Sequence, residues 1–301
     1  MNKANFLMLV GLPCSGKSTI AQELTKEYNA TIFSSDALRE ELFGDINDQT
    51  HNQELFVELH RRIKECLRSG KSAIYDACSI SYKRRMAFLS ELKNIPCKKI
   101  CVLVATPYEE CLRRNTVRDR KVPEYVIERM YRNFDVPWYF EGWDEILDNA
   151  DDYKYGMAPI EWIESVMDYN QDNPHHTLSL GLHCRQALKY VDANKGSNNV
   201  RYAAMLHDCG KPFCKTFTNS KGETTDVAHY YNHERCGSYD SLFYAYAVYH
   251  LRTAVIIRYH MQPYFWEKDN NEKLHNKYRK LWGEDLYNDI MMLHAGDRAA
   301  H

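Results

Sequence analysis

The stretch Gly11-Leu12-Pro13-Cys14-Ser15-Gly16-Lys17-Ser18 constrains this chain more than any other. It fits G-x-x-x-x-G-K-[ST] without a gap. Its glycines let backbone N–H groups turn inward around an anion. Phe6-Leu7-Met8-Leu9-Val10 ahead of it is an apolar run that reads as a buried strand. Ser18-Thr19-Ile20-Ala21-Gln22-Glu23-Leu24 behind it opens a helix. In such a loop Lys17 reaches the β- and γ-phosphates of ATP, and the Ser18 hydroxyl binds Mg²⁺. Residues Gly11, Leu12, Pro13, Cys14, Ser15, Gly16, Lys17, Ser18 and Thr19 are therefore the expected ATP and Mg²⁺ site.

This alternation of strand and helix continues, then stops. Thr31-Ile32-Phe33-Ser34 is a short strand, and Asn52 to Arg68 has helical periodicity halted at Gly70. Ser72-Ala73-Ile74-Tyr75-Asp76 is a third strand and Tyr82 to Lys93 a helix. Lys99 to Ala105 is the most strand-like run of all. Strands separated by helices predict a parallel sheet covered on both faces. From about Ile160 the strands vanish. Leu178–Ala193, Arg201–His207, Ser238–Tyr249, Thr253–His260, Glu272–Trp282 and Asp285–His294 read as helices, with Asn194–Asn199 and Asn219–Thr224 as loops. Trp143–Met157 is acidic and irregular, so the boundary falls there: an α/β domain over 1–156 and an all-α helical domain over 157–301. A chain of 301 residues has the length for both.

A net charge of −2 spreads no basic field over the molecule, so contact with nucleic acid has to come from local patches. No apolar run approaches the roughly 20 residues that cross a membrane. The 10 cysteines form no secreted framework, and Cys97 and Cys101 stand too far from other Cys or His pairs for a zinc knuckle. The sequence leads straight into its first strand, so a reducing cytoplasm is the expected compartment.

Asp36 follows the second strand and so faces the same crevice as the phosphate loop. Asp36 and Arg39 are three apart at a helix start and share a face. A carboxylate there can accept a proton from an attacking hydroxyl, and the arginine can hold an anionic substrate. Local sequence equally allows Asp36 as a helix cap with a surface arginine. Asp76 ends the third strand, where it can hold Mg²⁺ or cap a helix. Arg113-Arg114-Asn115-Thr116-Val117-Arg118-Asp119-Arg120-Lys121 is densely basic, either a lid over triphosphate or a solvated helix.

Together these residues, over roughly 5–147, resemble the phage-type polynucleotide 5′-hydroxyl kinases, a family of P-loop phosphotransferases. The resemblance rests on the loop, Asp36-x-x-Arg39, Asp76, and the Arg-rich segment continuing through Val122-Pro123 and Met130-Tyr131. It implies that Asp36 activates the 5′-hydroxyl and that Arg39 contacts the neighbouring substrate phosphate. It also implies that Arg118, or failing that Arg120, stabilises the transferring phosphoryl group.

The second half carries Leu206-His207-Asp208-Cys209-Gly210-Lys211-Pro212. An adjacent His-Asp pair offers an imidazole and a bridging carboxylate, a set suited to a first-row divalent metal. His183 lies upstream after Asn173-Pro174-His175-His176; His233, His260 and Asp297 lie downstream. Over roughly 170–298 this order is similar to the HD-domain phosphohydrolases. The resemblance implies His183, His207, Asp208 and Asp297 as core ligands and His233 and His260 as ligands of a second ion. It makes Lys211 a contact to substrate phosphate. One or two ions among Mn²⁺, Ni²⁺, Co²⁺, Fe²⁺ and Zn²⁺ are the expected cofactors.

One domain adding phosphate and one removing it suits two ends of a broken strand. The expectation is an enzyme that phosphorylates 5′-hydroxyl ends of RNA or DNA and removes a 3′-phosphate or 2′,3′-cyclic phosphate, upstream of a nucleic-acid ligase. The alternatives are a small-molecule kinase fused to a nucleotide phosphohydrolase, and an ATP-dependent switch with a degenerate metal site.

Overall fold

The strand ahead of the glycine loop, β1 (Ala4–Val10), lies at the centre of a five-stranded sheet. The computed structural model describes residues 3–150, 156–174, 176–244, 250–268 and 271–300. Contacts divide the chain into two units, Met1–Met130 with Pro137–Asp152, and Tyr131–Val136 with Tyr153–His301.

In the first unit β1 leads through the loop to α1 (Lys17–Tyr28), then β2 (Ala30–Ser34), α2 (Ser35–Phe43), α3 (Asn52–Arg68) and β3 (Ser72–Asp76). There follow α4 (Tyr82–Glu91), β4 (Cys97–Leu103), α5 (Tyr108–Thr116), α6 (Glu124–Tyr131) and β5 (Glu145–Asp148). The strand order is β2-β3-β1-β4-β5, and every pairing is parallel. Leu7 is in register with both Ile74 and Ile100. Alternate residues of β1 serve opposite faces. Leu7 and Leu9 pack with Ala21 and Leu24 of α1. Phe6 meets Phe88 of α4 edge-on at 5.4 Å on the other face. There α3 closes the core through Leu55, Leu59, Ile63 and Leu67, four apart and all buried, the stripe an amphipathic helix buries.

The expected parallel sheet covered by helices is present. It has one more strand than the sequence pattern shows, because β5 falls inside the stretch read as irregular. Only Ile146 and Leu147 of β5 are apolar, but an edge strand needs one partner, and β4 supplies it from Ile100↔Glu145 to Leu103↔Asp148. Residues 151–155 of that stretch lie outside the described residues.

The second unit runs α7 (Pro159–Ser165), α8 (Leu180–Ala193), α9 (Asn198–Leu206), α10 (Lys211–Cys214), β6 (Thr216–Thr218), β7 (Thr224–His229) and α11 (His233–Asp240). It ends with α12 (His250–Tyr259), α13 (Gln262–Lys268), α14 (Glu272–Trp282) and α15 (Glu284–Ala299). α8 packs on α9 and α15, and α12 on α9 and α11. The second unit is helical as expected, with one addition, the antiparallel hairpin β6–β7. Its threonines and Val227 favour extended backbone, and Gly222 at φ +84° makes the turn, inside a segment the helix pattern treats as loop. The expected helix over 238–249 is instead the end of α11 and a 3₁₀ turn at Ser241–Phe243, while 245–249 lie outside the described residues, as does His175. Among the described residues no helix is long and apolar enough to cross a membrane.

Arg85 of α4 and Glu141 are fully buried and joined twice, Nη2 to Oε1 at 2.6 Å and Nε to Oε2 at 2.7 Å. Trp143 Nε1 donates to the same carboxylate at 3.0 Å. Removing one partner leaves the other charged and dry. Arg85→Ala is expected to destabilise the first unit by about 3–5 kcal/mol, measured as a shift in its urea unfolding curve.

Candidate functional site

Parallel pairing brings the ends of β1, β2, β3 and β4 to one edge of the sheet, where open α/β sheets bind ligands. The chain leaves β1 at Gly11, whose N–H donates to Cys78 O at 3.1 Å. A Cβ on Gly11 would lie 2.5 Å from Val104 O and 2.6 Å from Ser15 Oγ, so the loop closes only around glycine. Cys14 at φ +66° and Gly16 at φ +97° curl the loop over the start of α1. Thr106 Oγ1, just past β4, donates to Ser15 O at 3.1 Å. Lys17 is buried, its Nζ 2.6 Å from Leu12 O, so its charge points into the loop. Leu12 and Pro13 are buried and Thr19 is exposed.

Ser18 Oγ donates to Asp76 Oδ2 at 3.0 Å, joining the first turn of α1 to the end of β3. Burial raises the Asp76 carboxyl above its ordinary value, against the opposing pull of Lys17 and the Ser18 hydrogen bond. Hydroxyl and carboxylate together form the oxygen pair that Mg²⁺ prefers. Asp76 caps no helix, since Ser81 stands at the start of α4. Nor does Asp36 cap α2: Ser34 Oγ accepts from Ala37 N there, which leaves the Asp36 carboxylate to other partners.

Those partners are two guanidinium groups. Arg39 Nη1 donates to Asp36 Oδ1 at 3.0 Å and Arg120 Nη1 to Oδ2 at 2.6 Å. Arg39 also reaches Asn52 Oδ1 at 3.0 Å, at the first residue of α3. Arg120, the expected alternative to Arg118 for stabilising the transferring phosphoryl group, is bonded to Asp36 and also to Asn47 and Ile46 O. Arg118 does meet the loop, its Nη1 3.2 Å from Cys14 Sγ. So does Arg114, at 3.4 Å from Cys14 O, a neighbour the sequence pattern leaves undistinguished within the basic run.

In the second unit all six expected ligands converge. His183 Nε2 lies 3.0 Å from His207 Nε2, 3.0 Å from Asp297 Oδ1 and 3.4 Å from Asp208 Oδ2. Asp208 Oδ1 is 3.3 Å from His233 Nε2 and 4.0 Å from His260 Nε2. All six residues are buried. The Nδ1 atoms point away, to Ala300 O from His183, Ala204 O from His207, Tyr230 O from His233 and Ile257 O from His260. A carbonyl only accepts, so each Nδ1 carries a hydrogen and each Nε2 is the ring nitrogen that faces inward. Asp208 Oδ2 is buried and forms an ion pair with Lys211 Nζ at 2.7 Å. Converging imidazole nitrogens and buried carboxylates are a donor set that suits a first-row divalent cation, and Asp208 is shared by two such groups.

Burial alone would raise the Asp208 carboxyl, but Lys211 and His207 hold it well below the carboxylate range. Burial, then the charges of His207 and His233, push His260 down to about 3, keeping it neutral as a ligand must be. Lys211 is buried, its Nζ also donating to Gln171 Oε1 at 2.8 Å. Gln171 and Tyr264, whose hydroxyl donates to Asp297 Oδ2 at 3.0 Å, escape sequence reading because neither belongs to a metal-binding pattern. Gly210 lets the His207-Asp208 corner approach α11, where a Cβ would lie 2.3 Å from His233 O.

Residues 6–137 match the family model described as AAA domain. The five-stranded parallel sheet and helices of the first unit fit a P-loop kinase fold. The chain is 27% identical over 171 residues to an L-seryl-tRNA(Sec) kinase of Methanococcus maripaludis, covering 55% of this chain and 66% of the relative. It is 23% identical over 224 residues to adenylate kinase 8 of Rattus norvegicus, covering 69% of this chain and 43% of the relative. The chain therefore spans less than two thirds of the length of either relative. A solved structure of the Pnkp1/Rnl/Hen1 RNA repair complex aligns at 20% identity and a TM-score of 0.37, over 43% of each chain.

The contact at Gly11 yields a direct test. Gly11→Ala is expected to weaken ATP binding at least about tenfold, since the loop must open to admit the methyl group. Calorimetric titration with ATP, beside an unchanged circular dichroism spectrum, checks this.

Proposed function

We propose that the chain heals nucleic-acid ends, with a 5′-hydroxyl kinase on residues 1–156 and a metal-dependent 3′-end phosphohydrolase of the HD type on 157–301. The observation that carries the kinase half is the crevice itself. The Lys17 loop, the Ser18–Asp76 pair and the Asp36–Arg39 pair open from one sheet edge, and Ser35 Oγ ties the acceptor helix to Asp76 O at 3.4 Å.

ATP supplies the phosphoryl group and Mg²⁺ neutralises its charge when both are bound. Lys17 and the loop amides would bind the β- and γ-phosphates, with Arg118 and Arg114 beside the loop at Cys14. Asp36 accepts the proton of the acceptor hydroxyl, whose oxygen bonds to phosphorus as the bond to ADP breaks. Arg39 holds the substrate phosphate beside the reacting end. For this an incoming acceptor must displace Arg120 from Asp36 Oδ2.

In the second unit a divalent cation on His183, His207, Asp208 and Asp297, and a second on His233 and His260 with Asp208, would supply Lewis acidity at a phosphorus–oxygen bond. Tyr264 keeps the Asp297 carboxylate turned inward, and Lys211 directs its ammonium at the cluster, where substrate phosphate would arrive.

The acceptor separates this reading from its main alternative. The name of one relative refers to a hydroxyl carried by RNA and that of the other to a nucleotide. The deciding experiment is phosphorylation of 5′-hydroxyl RNA and DNA oligonucleotides beside mononucleosides; turnover of mononucleosides alone would favour a small-molecule kinase. Asp36→Ala is expected to lower phosphoryl transfer about 10²–10⁴-fold with the fold unchanged. Near-normal transfer by that variant removes Asp36 from its role.

The two activities are expected to separate. His207→Ala with Asp208→Ala should abolish bound first-row metal and 3′-phosphate release but spare the kinase, and Lys17→Ala should do the reverse. Elemental analysis and paired end-group assays check this. Full phosphate release on Mg²⁺ alone, or no bound transition metal and no release with any ion, overturns the phosphohydrolase half.

A further inference from the structure

Asp36, Arg39 and Phe43 follow one another along the same face of α2, three and then four residues apart. Phe43 ends the helix roughly 10 Å along its axis from Asp36, at 1.5 Å per residue. Across from it His51, directly before the Asn52 that binds Arg39, stacks on the Phe43 ring at 4.7 Å with 23° between planes. The His51 side chain is 49% exposed. Its ring is already oriented: Nδ1 lies 2.6 Å from Asp48 Oδ2 and 2.9 Å from Thr50 Oγ1. Asp48 in turn accepts from Thr50 N at 2.7 Å, and Asp45 from Asn47 N at 2.8 Å, so the loop between α2 and α3 is braced from within.

We propose that Phe43 and His51 form a platform on which a nucleobase of the acceptor stacks, beside the phosphate held by Arg39. This rests on the kinase reading above and names what its acceptor must carry. A small anionic acceptor with its hydroxyl at Asp36 ends at Arg39. A base on the nucleotide before or after that phosphate brings a flat apolar group to Phe43. Every base has such a face, so stacking on aromatic rings binds single strands without regard to sequence. A ring pair set before the ligand arrives loses little conformational freedom on binding.

The test is steady-state phosphorylation, at saturating ATP, of a 5′-hydroxyl hexanucleotide and of the same strand with an abasic first or second nucleotide. With the unaltered protein, at least one abasic strand should raise the acceptor KM about tenfold, the scale of one lost base–aromatic contact. The double variant Phe43→Ala, His51→Ala should lose this discrimination while the KM for ATP stays the same. Phe43→Leu, which keeps apolar packing without a ring face, should lose most of it, and Phe43→Tyr should retain it. Equal KM for all three strands with the unaltered protein, or full discrimination by the double variant, overturns the platform. Failure to phosphorylate any 5′-hydroxyl strand overturns the kinase reading, and the platform with it.

Discussion

The parallel pairing of β1 between β3 and β4 is the interaction on which the first unit depends. Backbone hydrogen bonds alone align the ends of these strands, so Gly11, Asp76 and Val104 arrive at one edge whatever their side chains. From that alignment the rest follows locally. Gly11 passes the Val104 carbonyl closely enough to exclude a methyl group, Thr106 holds Ser15, and Ser18 finds Asp76. Adding β2 beyond β3 brings Ser35 and Asp36 to the same edge. The crevice is thus a property of strand order, and the loop chemistry is fitted to it.

The second unit solves a different problem: how to bury four imidazoles and two carboxylates together. Each imidazole spends its Nδ1 hydrogen on a backbone carbonyl, three of them on the carbonyl three residues earlier. His207 and His260 stand just past the ends of α9 and α12, where the last carbonyls of a helix lack partners. The same bond that satisfies the helix end therefore aims Nε2 at the cluster. Lys211, Gln171 and Tyr264 steady the carboxylate side. The helices of this unit hold the clustered side chains by their ends and inner faces, and the hairpin β6–β7 runs into the turn whose Tyr230 carbonyl holds His233.

Much of this was legible before any coordinate. The glycine loop, the strands of the sheet centre and the long helices each carry a periodicity or a spacing that one physical cause explains. The ordered His and Asp residues pointed to one cluster, and they form one. What escaped shares a different character. β5 has two apolar residues and exists because β4 offers it an open edge. The hairpin is too short to outweigh a helical context. Arg114 and Arg120 look alike in a run of arginines, yet one lies on the phosphate loop and the other on Asp36. Gln171 and Tyr264 have no motif, only neighbours.

The sequence by itself determined the chemistry available to this protein. A backbone able to cradle phosphate, a lysine and hydroxyl beside it, two carboxylates at strand ends and a set of imidazoles are local facts. They depend on residue type and on spacings of a few residues. Tertiary structure decided which of these groups meet. Whether Asp36 and Asp76 cap helices or face a crevice turned on Ser34 and Ser81 taking the helix starts. Which arginine lies on the glycine loop and which on Asp36 turned on the path of a loop. Pairings across tens of residues are set by strand order and helix packing, whose energy is spread over the whole core, and no short stretch of sequence contains it.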